Sequence, residues 1–234
     1  MVLTPNMPYL TMRIKFKKVG SLQYISHLDL VRTMHKIIVR SHLPLWYTEG
    51  FNPKPKMVFA APLSIGVESL AEYMDIRLVE EISPDEVKNR LNANMTDEMQ
   101  VLDAYYADTK LTELKWLSYS IAIKTEGASD ALAAKCRDVL LRDKLVISKK
   151  GKPHEEAKEQ DIAPLIAKSS VDFKDGLLLI DCLLSASPSE FLNPEYLVKA
   201  LKSECGILSS PDLTQEYYSI LRIAGYNADM SDFR

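Results

Sequence analysis

The chain has 234 residues, 47% hydrophobic and 26% charged, ordinary proportions for a globular protein and enough for one or two domains with a core. Its formal charge of −3 argues against a general nucleic-acid binder, and no apolar run approaches the ~20 residues that a membrane helix needs. The cysteines Cys136, Cys182 and Cys205 lie far apart and make neither a CxxC pair nor a metal-ligand spacing, so reduced thiols, a cytoplasmic location and a chain without metal or iron–sulfur cluster are expected.

Residues 1–11 read as a flexible leader, because strand-like alternation begins only with Arg13-Ile14-Lys15-Phe16-Lys17-Lys18. Ser26 reads as a helix N-cap with Asp29 three residues on, as in a capping box. Over residues 28–41, Leu30, Met34, Ile37 and Ile38 fall at helical spacing, and Leu28, Val31 and Val39 widen that face. Pro44 closes the helix. Strands are expected at residues 45–48, 57–60, 72–78 and 100–105, with a second helix capped at Ser83 and opened by Pro84. The order β-α-β-β-α-β over residues 12–108 is the ferredoxin-like arrangement, two helices on one face of an antiparallel sheet.

After a linker at 109–114 the order recurs: strand 116–124, helix 130–142, strand 144–149, polar loop 150–161, a hairpin of 162–173 with 176–184, helix 194–204 and strand 217–224. The fold class expected is therefore α+β, two tandem ferredoxin-like halves at 12–108 and 115–225, with a polar, frayed tail at 226–234. The basic turn Lys149-Lys150-Gly151-Lys152 reads as a solvated hairpin tip.

Charge is unevenly distributed. Residues 1–66 carry nine Lys/Arg against two acids, while the remainder carries 20 against 30. A basic end on an acidic body points to an anionic partner. Arg32, Lys36 and Arg40 stack at i, i+4, i+8 on the first helix, where a phosphate backbone or an acidic surface would relieve their repulsion. His27 lies just inside that helix, where the positive helix end favours a neutral imidazole able to act as a base, although no second catalytic group is placed beside it by sequence. The loop Gly50-Phe51-Asn52-Pro53-Lys54-Pro55-Lys56 joins a turn glycine, an aromatic, an amide and two cations on a backbone stiffened by two prolines, a composition suited to stacking a base and pairing a phosphate. The alternative is a stiff hairpin connection with Phe51 in the core. The expected binding set is Arg13, Lys15, His27, Arg32, Lys36, Arg40, Phe51, Asn52, Lys54 and Lys56. Ser26, Asp29, Gly50, Pro53, Pro55, Gly66 and Glu72 are expected to be structural.

Several ordered motifs, Arg13-Ile14-Lys15-Phe16-Lys17-Lys18, Ile25-Ser26-His27-Leu28-Asp29-Leu30, Glu49 through Lys56, Pro62-Leu63-Ser64-Ile65-Gly66-Val67-Glu68-Ser69 and Glu72-Tyr73-Met74-Asp75, resemble the radical SAM-linked protein family, also described as DUF2344. The resemblance implies a stand-alone partner of a radical SAM protein. The iron–sulfur cluster and S-adenosylmethionine are implied only in that partner, since this chain has no Cx₃Cx₂C. Lys54 stands where members usually show histidine, which makes charge the property to keep at that position. Three functions follow as expectations: an accessory or substrate-handling protein that binds RNA or another anion through the basic N-terminal face; a metal-independent RNA-processing nuclease with His27 as base; and a protein-docking module without nucleic acid.

Overall fold

A computed structural model describes residues 9–149, 158–212 and 214–234. Backbone packing divides the chain into two compact units. The first comprises the residues up to Leu114 together with Tyr226–Arg234, and the second is Lys115–Gly225.

The first unit runs β1 (Leu10–Lys18), α1 (His27–Arg40), β2 (Met57–Phe59), β3 (Val67–Leu78), α2 (Pro84–Asn92) and β4 (Met99–Tyr106). Its strands lie in the order β4-β1-β3-β2, with each neighbouring pair antiparallel. The period-two alternation of β1 sends Leu10, Met12, Ile14 and Phe16 to one face, where they meet Leu30, Met34, Ile37 and Ile38 of α1 and Val87 and Leu91 of α2 in a single core. Both helices thus cover the same face. Each starts where a serine caps it: Ser26 Oγ accepts from Asp29 N and Ser83 Oγ from Glu86 N. The other face carries Thr11, Arg13, Lys15, Tyr73, Asp75 and Arg77.

The second unit runs β5 (Trp116–Lys124), α3 (Asp130–Leu140), β6 (Val146–Lys149), β7 (Lys158–Asp161), β8 (Ile166–Lys174), β9 (Leu177–Ser185), α4 (Glu195–Cys205) and β10 (Tyr217–Tyr226). Its main sheet is ordered β10-β5-β9-β8, and β6 pairs with β7 as a separate ribbon. Apart from that ribbon, element order and strand order repeat those of the first unit. The hairpin between β8 and β9 closes through Asp175 and Gly176, both at positive φ (52° and 80°), the two-residue geometry that matches strand twist.

Four expectations are corrected. Residues 45–48 form two isolated bridges, Leu45 to Leu78 and Tyr47 to Pro55, in place of a strand. β1 begins at Leu10, inside the expected leader, because Leu10 and Thr11 find register partners in Leu78 and Arg77. Leu28 and Val39 are exposed, so the buried stripe of α1 is narrower than the apolar pattern suggested. The tail is docked on the first unit: Phe233 is buried, its ring 5.0 Å from that of Tyr73, and Arg234 O accepts from Arg13 Nη1 and Thr109 Oγ1. Of the expected basic turn at 149–152, Lys149 ends β6 and the rest lies outside the described residues. No helix among the described residues is long and apolar enough to cross a membrane.

Candidate anion-binding site

The site is built on β3. Because Met74, Ile76 and Leu78 point into the core, Asp75 and Arg77 stand on the opposite face of the sheet. The bridge from Leu45 to Leu78 lays residues 45–47 along the end of β3, where Trp46 N donates to Arg77 O at 2.8 Å. Lys56 N donates to Trp46 O at 3.3 Å, which brings the end of the proline loop beside Arg77. The loop is held closed by Thr48 N donating to Lys54 O at 2.9 Å and Lys54 N donating to Thr48 Oγ1 at 3.1 Å. The Arg77 guanidinium sits 3.9 Å from the Tyr9 ring centre and 5.4 Å from that of Trp46, and the two rings are 5.6 Å apart. Lys56, Arg77, Lys110, Tyr9, Thr109 and Asp75 line a cavity of about 340 Å³.

The electrostatics of this cavity are one-sided. Among the described residues Asp75 is its only lining acid, and both of its oxygens are taken by Arg13, Oδ1 by Nε at 2.8 Å and Oδ2 by Nη2 at 3.0 Å. Among the described residues, the side chains of Lys56, Arg77 and Lys110 have no hydrogen-bond or ion-pair partner. A guanidinium held against aromatic rings keeps its charge, and its planar fork of N–H donors suits bidentate capture of a phosphate or carboxylate.

The structure divides the expected binding set. Arg13 is fully buried: besides Asp75 it donates to Thr109 and to Arg234 O, and its guanidinium lies 4.6 Å from the Phe233 ring centre. It is a structural residue and contributes nothing to a basic surface. Lys15 is half-buried on the same sheet face, with its ammonium 6.0 Å from the Tyr73 ring centre. Lys56 lines the cavity. His27, Arg32, Lys36 and Arg40 lie on α1, over the sheet face opposite the cavity. Arg32, Lys36 and Arg40 are exposed, but Arg32 approaches Asp29 at 3.4 Å. The His27 ring meets Phe59 edge-on at 5.5 Å, and among the described residues it has no hydrogen-bonded carboxylate or second base.

Phe51 is completely exposed, and Asn52, Pro53 and Lys54 are exposed with it, so the loop tip is not packed into the core. Among the structural expectations, Ser26 and Asp29 exchange two hydrogen bonds, Asp29 N to Ser26 Oγ at 3.2 Å and Ser26 Oγ to Asp29 Oδ2 at 2.7 Å. The Ser26 hydroxyl, and more weakly the Arg32 charge, hold the Asp29 carboxyl below its usual range. Gly50 takes φ 119°, a conformation that L side chains rarely adopt, and Gly66 takes φ 84° where its N–H donates to Gln23 O at 2.9 Å. Pro55 and Glu72 are buried, while Pro53 is exposed.

Tyr9, Trp46, Arg77, Thr109 and Lys110 were not singled out from sequence. The period-two pattern Asp75-Ile76-Arg77 places Arg77 on the non-core face. Only the pairing of residues 45–47 with the end of β3 reveals that aromatic rings flank it. Among the described residues no group of three or more His, Cys, Asp or Glu is placed to hold a metal ion.

No curated protein matches this sequence. Among solved structures, a crystal structure of a Cbf5-Nop10-Gar1 complex is similar in fold, with a TM-score of 0.52 and 9% sequence identity. The match covers 92% of this chain and 48% of that one, so the chain spans about half the length of the structure it resembles. At such identity the likeness concerns fold alone. In sequence, residues 11–194 match the family described as "Uncharacterized protein conserved in bacteria", and the chain belongs to that family, DUF2344.

Proposed function

We propose that this protein is an RNA-binding accessory partner of a radical SAM enzyme, with its anion contact centred on the Lys56–Arg77–Lys110 cavity. The observation that carries the reading is the charge imbalance there: three cations without side-chain partners among the described residues, beside one acid already matched by Arg13. RNA suits the site better than a compact anion, because Tyr9 stands beside the cations and the exposed Phe51 and Lys54 extend the surface along the loop. Both units are read as ferredoxin-like, since each, the β6–β7 ribbon aside, follows β-α-β-β-α-β with the strand order fourth, first, third, second. The radical SAM link comes from the motif resemblance, and the iron–sulfur cluster and S-adenosylmethionine belong to that partner.

The test is fluorescence anisotropy of a labelled single-stranded RNA titrated with the full chain. Saturable binding that weakens in Lys56→Ala supports the reading. An RNA that stays free at all protein concentrations removes it. The partner is tested separately, by whether a Cx₃Cx₂C protein co-purifies with the chain from its native host.

A further inference from the structure

The second unit holds a larger cavity, of about 540 Å³, between α4 and the start of β10. That is the size of a small-molecule site. Tyr217 and Tyr218 line it with 48% and 42% of their surfaces exposed, a large accessible aromatic area. Lys199 and Lys202 enter from α4, three residues apart and so on neighbouring positions of one helix face. Lys199 donates to Ser148 O, whereas the Lys202 ammonium makes no hydrogen bond among the described residues and interacts with the Glu216 carboxylate only through its charge. Lys124 is not part of the lining, but its ammonium lies 5.7 Å from the centre of the Tyr217 ring.

Of the two lining acids, Glu216 is buried and used internally. Its carboxylate accepts from Thr125 Oγ1, from Glu126 N at 2.9 Å and from Ser210 N, which ties the loop after α4 to the end of β5. This makes a rigid floor, the kind of support a binding site needs. Glu195 is the other acid. Its carboxylate makes no hydrogen bond among the described residues and is open to a donor. Glu195 and Lys202 are seven residues apart on α4, about 10 Å along the axis at 1.5 Å per residue. The cavity thus offers an acceptor at one end, an ammonium at the other and aromatic walls.

We propose that this cavity binds a nucleotide, its base stacked on Tyr217 or Tyr218, its phosphate on Lys202 and a base or ribose donor on Glu195. The proposal does not depend on the site in the first unit. A free nucleotide and a nucleotide within a single strand present the same chemistry, and the experiment separates them.

The experiment is calorimetric titration of the full chain with the four 5′-ribonucleoside monophosphates and with a single-stranded octaribonucleotide. It uses wild type, Tyr217→Ala, Lys202→Ala and, as a control in the first unit, Lys56→Ala. Both second-unit positions are exposed, so the variants are expected to fold. A monophosphate that binds wild type and Lys56→Ala alike, and binds Tyr217→Ala about 5- to 150-fold more weakly, the worth of one base–aromatic stack, assigns a free nucleotide. Binding of the octamer alone, weakened in Tyr217→Ala and Lys202→Ala, assigns a strand. Binding of neither probe, or binding unchanged in both second-unit variants, overturns the proposal. Loss of octamer binding in Lys56→Ala alone reports on the first-unit site and counts against this one.

Discussion

The guanidinium of Arg13 grips both oxygens of Asp75, at 2.8 and 3.0 Å, with no part of the Arg13 side chain exposed. Taking Arg13 away leaves the largely covered Asp75 carboxylate, 15% exposed, without its partner. Arg13→Ala is therefore expected to lower the unfolding free energy by about 3–5 kcal/mol in urea denaturation. Arg13→Lys should recover only part of it, because an ammonium cannot reproduce the bidentate pair and the bonds to Thr109 and Arg234.

The docked tail makes a related prediction. Phe233 is buried against Tyr73 and under the Arg13 guanidinium. Phe233→Ala should cost about 3–5 kcal/mol in the same assay, as large-to-small changes at buried aromatics do. A change near zero would mean that the tail does not stay docked in solution.

Glu216 gives the molecule an acid-sensitive joint. The Thr125 hydroxyl first, then the Ser210 and Glu126 backbone N–H groups, hold its carboxyl below the ordinary glutamate range. The folded-state value lies below the unfolded one, so the contribution is fully present above the unfolded value and is lost as pH falls through the folded value. Glu216→Gln should reduce stability at neutral pH and flatten its decline in acid, as read from thermal midpoints across a pH series. Parallel pH profiles for wild type and variant would refute this.

Burial pushes the thiols of Cys136 and Cys182 up to about 12. At pH 8 neither has an appreciable thiolate fraction, so both should resist iodoacetamide in the native state and react only on unfolding. Mass-spectrometric mapping of the labelled sites checks it.

Much of the fold was legible because its signals are local. Ser26 and Ser83 announce their helices through their own hydroxyls, and the alternation of β1 and β3 states which side chains face inward. What escaped was non-local. Arg13 sits on the polar side of an alternating strand and reads as a surface cation, yet residues 233 and 234, far away in sequence, cover that face. Residues 45–48 have strand composition, but they pair only at single positions, Leu45 with Leu78 of β3 and Tyr47 with Pro55. Of the candidate site, Lys56 was visible as part of an unusual loop. Arg77 was hidden, because an arginine at a solvent-facing strand position is unremarkable until Tyr9 and Trp46 are placed around it.

The most direct test of the central claim is the salt dependence of RNA affinity in the double variant Lys56→Ala/Lys110→Ala against wild type. If both ammonium groups meet phosphates, log affinity falls steeply with log salt in wild type, and the slope is shallower by about 1.4 in the variant, near 0.7 per single-strand phosphate contact. Equal affinities and equal slopes in the two proteins would contradict the assignment of this cavity as the RNA contact.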